Sequence, residues 1–164
     1  MGTTQWESLI RNDVYDRFLP DRIYSRDHSI RVYKAAKSRG LSEACCIAAL
    51  LHDVVEDSEY SLDHLRKLYS KCPYIKPALK LVEVLTRNSD ETYMAYIRRV
   101  AQNPKARLIK ILDIEDNLFS TLMDGGYCSR SLAGRYIRAL EYFVKDKYDE
   151  KEEVNDGQTS EGGM

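Results

Sequence analysis

Eight consecutive residues, Ala44 to Leu51 (ACCIAALL), carry no charge, and the seven that follow, HDVVEDS, hold His52, Asp53, Glu56 and Asp57. A run of that kind is the signature of a helix buried on all sides. Ionised side chains set directly at its end are costly to bury unless something pairs with them. One turn separates 52 from 56, and one turn 53 from 57, so on a continuous helix from about Ser42 to Asp57 all four face one cavity.

The rest of the chain is read in the same period. Neither a sustained alternating pattern nor a repeat of 20 to 50 residues interrupts it, so the expected class is all-α, a helical bundle. Helices are expected near Trp6 to Phe18, ending before Pro20, and near His28 to Arg39, with Gly40 as the stop. Ser61 caps a short helix to Tyr69, and Pro73 and Pro77 bracket the start of another that carries LKLVEVLTR. A further helix covers roughly Glu91 to Ala101. Asn103-Pro104 opens a long one through RLIKILDIEDNLFSTLM to Gly125-Gly126. The last follows Ser129, with Leu132, Tyr136, Leu140 and Phe143 as its packing stripe.

At 164 residues the length suits one domain with one core. The expected body is 1–147. The segment 148–164 is polar, acidic and glycine-containing, the composition of a disordered tail. Net charge is −1, but Lys145 to Met164 hold seven acids and three bases, which leaves 22 bases against 19 acids in the body. That balance is too weak for nucleic acid. The four cysteines, Cys45, Cys46, Cys72 and Cys128, form no C-x-x-C pair and read as small buried hydrophobes in a reducing cytoplasm. Nowhere do eighteen apolar residues run together, and the N-terminus lacks a signal pattern, so no membrane partner is expected.

Three histidines occur in the chain, at 28, 52 and 64. His28 begins a predicted helix in SRDHSIRVYKAA; His64 lies in a short polar segment and reads as solvated. Asp113 interrupts the apolar helix LIKILDIEDNLF, with Asn117 one turn on along the same face. Together His28, His52, Asp53 and Asp113 make a mixed nitrogen and oxygen donor set without thiolates, suited to Mn, Fe, Zn or Ni. Four protein ligands leave room for a water and a phosphate oxygen, the arrangement by which an ion activates one and polarises the other. Glu56 and Asp57, beyond the ligand count, are placed to orient or deprotonate that water.

The order H…HDxxED…DxxxN resembles the HD-domain phosphohydrolases. LLHDVVEDS followed by LIKILDIEDN is similar to the hydrolase half of the RelA/SpoT alarmone enzymes, which typically read LLHDxxEDT and VKLADRLHN, and the likeness covers about residues 25 to 123. It implies His28, His52, Asp53 and Asp113 as ligands of a divalent metal, usually Mn²⁺. It also implies Glu56 and Asp57 as the pair handling the nucleophilic water and Asn117 as a substrate-holding residue. The implied reaction removes pyrophosphate from the 3′ position of (p)ppGpp, giving GDP or GTP, in a small stand-alone hydrolase. Another nucleotide, such as a 3′-phosphorylated adenine cofactor, is the alternative substrate. A nucleotide-binding HD module without turnover is the alternative of another class, and a homo-oligomer is compatible with either.

Two departures stand out. The family's first His usually follows a lead such as R-x-x-G-x-PYI, which helps hold the purine; here the lead is FLPDRIYSRDHS, with Arg17, Arg22 and Arg26 as available cations. The usual His before the asparagine is Asp116, preceded by Ile114-Glu115, which adds negative charge near an anionic substrate unless these side chains point away. For Tyr60, Tyr93 and Tyr96, packing at the rim of the bundle is expected, with base stacking the alternative. For Arg130, Arg135 and Arg138 a solvated helix face is expected, with phosphate contact the alternative.

Overall fold

The computed structural model describes residues 3–123 and 130–156. Among them there are only helices, in the order α1 (Gln5–Asp13), α2 (Ile23–Ser38), α3 (Glu43–Leu51), α4 (Val54–Asp57), α5 (Leu62–Leu68), α6 (Ile75–Leu85), α7 (Tyr93–Ala101), α8 (Pro104–Met123) and α9 (Arg130–Asp156), with a π-helical turn, Val14–Phe18, after α1. The expected all-α class holds. Gly125-Gly126, Cys128 and Ser129 lie outside the described residues.

Capping residues set most boundaries. Ser42, Ser61 and Thr92 each accept a backbone N–H of the first turn they precede. Asn103 Oδ1 accepts from the amides of Lys105 and Ala106, and Pro104 opens α8. Gly40, at φ +70, supplies the left-handed residue that stops α2. The start of α2 departs from expectation. It begins at Ile23 behind Arg22, which makes no side-chain cap, so His28 sits in the second turn rather than at the helix start.

α3 is the axis of the fold, packed against α1, α2, α6 and α8. Seven of its nine residues are buried, which is why its sequence shows no polar stripe. Each large apolar side chain so placed contributes roughly 1.5–3 kcal/mol. The continuous helix expected from Ser42 to Asp57 is interrupted at its functional end: Asp53 takes φ −96 and ψ −9, and α4 is a single new turn. α8 crosses α2, α3, α6 and α7 and carries the second polar motif into the same interior. Cys45, Cys46 and Cys72 are buried free thiols.

On α9, Phe143 is buried, and Tyr136 and Leu140 pack on the core as the stripe requires. The body boundary expected at 147 falls inside this helix, and residues 157–164 of the expected tail lie outside the described ones. Among the described residues no helix is long and apolar enough to cross a membrane.

Candidate active site

The site forms where the end of α3, the middle of α2 and the middle of α8 converge. Ligating atoms of His28, His52 and Asp113, all buried, lie within 4.8 Å of one another. His28 Nε2 is 2.9 Å from Asp113 Oδ1. Asp53 joins them from the helix break: its carboxylate is 3.2 Å from His52 Nε2 and 3.8 Å from His28 Nε2.

His52 is oriented by its own helix. Its Nδ1–H donates to the carbonyl of Ala49 at 2.8 Å, which turns Nε2 toward the two carboxylates. That Nε2 is a buried atom that lies 3.2 Å from Asp53 Oδ1 without the alignment of a hydrogen bond, and it has no hydrogen-bond partner among the described residues. A buried imidazole nitrogen left bare, flanked by carboxylate oxygens and a second imidazole, fits a divalent cation in both charge and donor type.

Charge balance in the metal-free chain comes from protons and a lysine. Burial opposes a charge on His28, but hydrogen bonds to Asp113 and Asp116 outweigh it and raise its pKa to about 10. Burial also opposes ionisation of Asp113, yet Lys110 and the two imidazoles hold its carboxyl well below the usual range. Lys110, one turn before Asp113, donates from Nζ to Asp113 Oδ2 at 2.5 Å and lies over the Tyr96 ring at 5.2 Å. Asn117 donates to Asp113 Oδ1 at 2.7 Å and accepts from the Tyr24 hydroxyl at 3.1 Å.

A cleft of about 220 Å³ opens beside this cluster, its polar wall made of His52, Asp53, Glu56, Lys110 and Asp113. Facing them are Arg87 and Arg135, with Tyr93, Tyr96 and Tyr136 as the aromatic wall. Glu56 is fixed there by accepting the Arg87 amide on Oε1 at 2.8 Å. The adjoining corner is tied by Arg99, which donates to the carbonyls of Val84 and Thr86 at the end of α6.

Of the residues singled out from sequence, His28, His52, Asp53, Asp113 and Glu56 meet at one place. Asp57 does not line the cleft; it faces Arg22 at 3.7 Å. Asn117 touches Asp113 from the side of α2 rather than from the cleft. Arg17 and Arg26 are also turned elsewhere, Arg17 beside Tyr60 and Arg26 onto Asp27. His64 closes a capping box by accepting the Ser61 amide. Tyr93 and Arg135, assigned to rim packing and a solvated face, line the cleft.

Lys110, Arg87 and Asp116 were not expected as site residues. A lysine inside an apolar helix at i−3 from Asp113 is a readable signal in retrospect. Asp116 turns away from the cleft, onto His28 Nδ1 at 2.7 Å.

The fold is an all-helical bundle enclosing a His-His-Asp cluster, with the His-Asp pair at a broken helix end, a mixed nitrogen and oxygen donor set that could hold a metal ion. Residues 26–118 match the HD domain family model, and the protein belongs to that family. Among solved structures, the chain is similar to one described as a metazoan ortholog of SpoT that hydrolyzes ppGpp and plays a role in starvation responses. The TM-score is 0.64 at 22% identity, over 89% of this chain and 87% of that one, which shows a shared fold. Comparison with curated proteins finds no match.

Proposed function

We propose that this chain is a Mn²⁺-dependent (p)ppGpp 3′-pyrophosphohydrolase, with His28, His52, Asp53 and Asp113 as metal ligands. The observation that carries the reading is the bare, buried Nε2 of His52 within 4.8 Å of donor atoms from His28 and Asp113. The solved structure that resembles this fold is described as a ppGpp hydrolase, which supports the choice of substrate. When bound, a divalent cation supplies Lewis acidity to a water and to the phosphorus it attacks.

The residues around it divide the remaining work. Glu56, on the cleft wall one turn beyond His52, takes the proton from the attacking water. Asp57 holds Arg22 beside this segment and supports its position. Lys110, Arg87 and Arg135 bring positive charge to the cleft for the phosphate oxygens. Tyr93 and Tyr136 offer ring faces to a base. As the water oxygen bonds to phosphorus, the bond to the ribose 3′ oxygen breaks, that oxygen takes up the proton that Glu56 removed from the water, and pyrophosphate leaves.

The lead to His28 favours weighing a second substrate. Where the resembled enzymes carry a glycine-containing lead that helps hold the purine, this chain has the first turn of α2, with Tyr24 bonded to Asn117. A nucleotide with another base, such as a 3′-phosphorylated adenine cofactor, is the second reading. Incubation with Mn²⁺ and a panel of nucleotides, with and without EDTA, separates the two by product. Release of pyrophosphate with GDP from ppGpp, abolished by EDTA, is expected; no product from any member of the panel rejects the enzymatic reading.

A further inference from the structure

One of the residues at which this chain departs from the RelA/SpoT pattern, Asp116, is bound to the site from behind. Asp116 Oδ2 lies 2.7 Å from His28 Nδ1, across 88 residues of sequence. Its other contacts come from Arg31, which donates from Nε to Oδ1 at 2.8 Å and from Nη2 to Oδ2 at 3.0 Å. Arg31 also donates to the Ser120 hydroxyl at 3.3 Å.

The spacing explains why these four groups meet. His28 and Arg31 are three residues apart on α2, and Asp113 and Asp116 are three apart on α8, so each helix presents a pair on one face. The helices pack directly on each other. The imidazole is therefore held between two carboxylates of the same helix, Asp113 on its Nε2 side and Asp116 on its Nδ1 side.

We infer that Asp116, clamped by Arg31, is a positioning residue that fixes His28 with its proton on Nδ1 and presents Nε2 as a metal donor. The inference rests on the metal-binding reading above. A carboxylate behind a ligating histidine sets its tautomer and ring angle and raises its basicity. The histidine usual at this position in the resembled enzymes carries no negative charge when neutral. The added acid at 116 thus strengthens the site, and Arg31 absorbs the part of its charge that would otherwise repel an anionic substrate.

The test is Mn²⁺ titration by calorimetry on the full chain, without substrate, for the wild type and for Asp116→Ala, Asp116→Asn, Arg31→Met and Glu115→Ala. Asp116→Ala is expected to weaken Mn²⁺ binding about 10- to 100-fold. Asp116→Asn, which keeps an acceptor of the same shape without the charge, is expected to fall between it and the wild type, and it carries the test should the alanine variant fail to fold. Arg31→Met is expected to weaken binding less than Asp116→Ala. Glu115→Ala, which removes an exposed partner of Arg39, is expected to leave binding within about twofold. In the Zn²⁺-loaded wild type, the Nδ1–H proton of His28 should be hydrogen-bonded to Asp116 and slow to exchange with water, and in Zn²⁺-loaded Asp116→Ala it should exchange faster.

Wild-type binding with folded Asp116 variants within threefold of it overturns this inference alone. A wild type that binds no Mn²⁺ overturns the metal reading and this inference with it. Wild-type binding without hydrolysis of any nucleotide rejects only the proposed reaction.

Discussion

His28 Nε2 and Asp113 Oδ1 stand 2.9 Å apart although 85 residues separate them in sequence. Asp113 is the common counter-charge for His28, which is buried, and for Lys110, which is partly buried. Removing it takes from Lys110 its carboxylate and leaves His28 with Asp116 as its hydrogen-bonded counter-charge. Asp113→Ala is expected to cost the metal-free protein about 3 kcal/mol, the penalty of breaking a buried ion pair. Thermal melts followed by circular dichroism check this; a melting temperature equal to that of the wild type would show that the cluster carries no such charge.

Metal addition should act on stability as well as on activity. A ligand present at 100 times its Kd stabilises the folded state by about 2.7 kcal/mol. Mn²⁺ is therefore expected to raise the melting temperature of the wild type and EDTA to reverse it. His52→Ala, which deletes the bare Nε2, should show no Mn²⁺-dependent rise. A rise in the variant equal to that of the wild type would place the metal elsewhere.

Arg87 and Arg135 line the cleft from the surface side and hold no metal-facing position. Replacing either by alanine is expected to raise KM for an anionic substrate roughly tenfold, about 1.4 kcal/mol, with kcat changed less. The dependence of KM on salt should flatten in each variant, because a charge that steers the substrate has been removed. Steady-state kinetics at two ionic strengths decide it, and an unchanged KM in both variants removes these residues from substrate binding.

Cys46 is fully buried, and burial, followed by the nearby Glu7 charge, pushes its thiol up from the ordinary value near 9 to about 11. A group with a raised folded-state pKa contributes its stability in full below the unfolded value and loses it as pH rises through the folded one. Denaturant unfolding should therefore show stability declining from pH 9 toward pH 11, with part of the decline absent in Cys46→Ala. Disulfide-exchange reagents at pH 8 should label this thiol only after unfolding. Rapid labelling of Cys46 in the native protein would contradict its burial.

The sequence by itself determined the helices and the address of the chemistry. Ser42, Ser61 and Asn103-Pro104 are local signals, each acting on amides within three residues, and the helix starts they imply are the ones observed. The uncharged run before His52 announced a helix buried on every side, and the charges at its end announced a site. These properties belong to single helices and are readable from spacing alone.

Tertiary structure decided which polar groups meet. Helical periodicity places His28 and Arg31 on one face of α2, and Asp113 and Asp116 on one face of α8, but not the rotation at which the two faces are pressed together. That rotation is set by apolar packing of both helices against α3. It turned Asp116 behind His28, while the packing of α4, α6 and α9 sent Asp57 to Arg22 and brought Arg87 and Arg135 to one cleft with Lys110. The helix break at Asp53 was equally hidden, because no proline or glycine marks it. A backbone bend of one residue is chosen by the packing on either side of it, and that packing comes from parts of the chain far away in sequence.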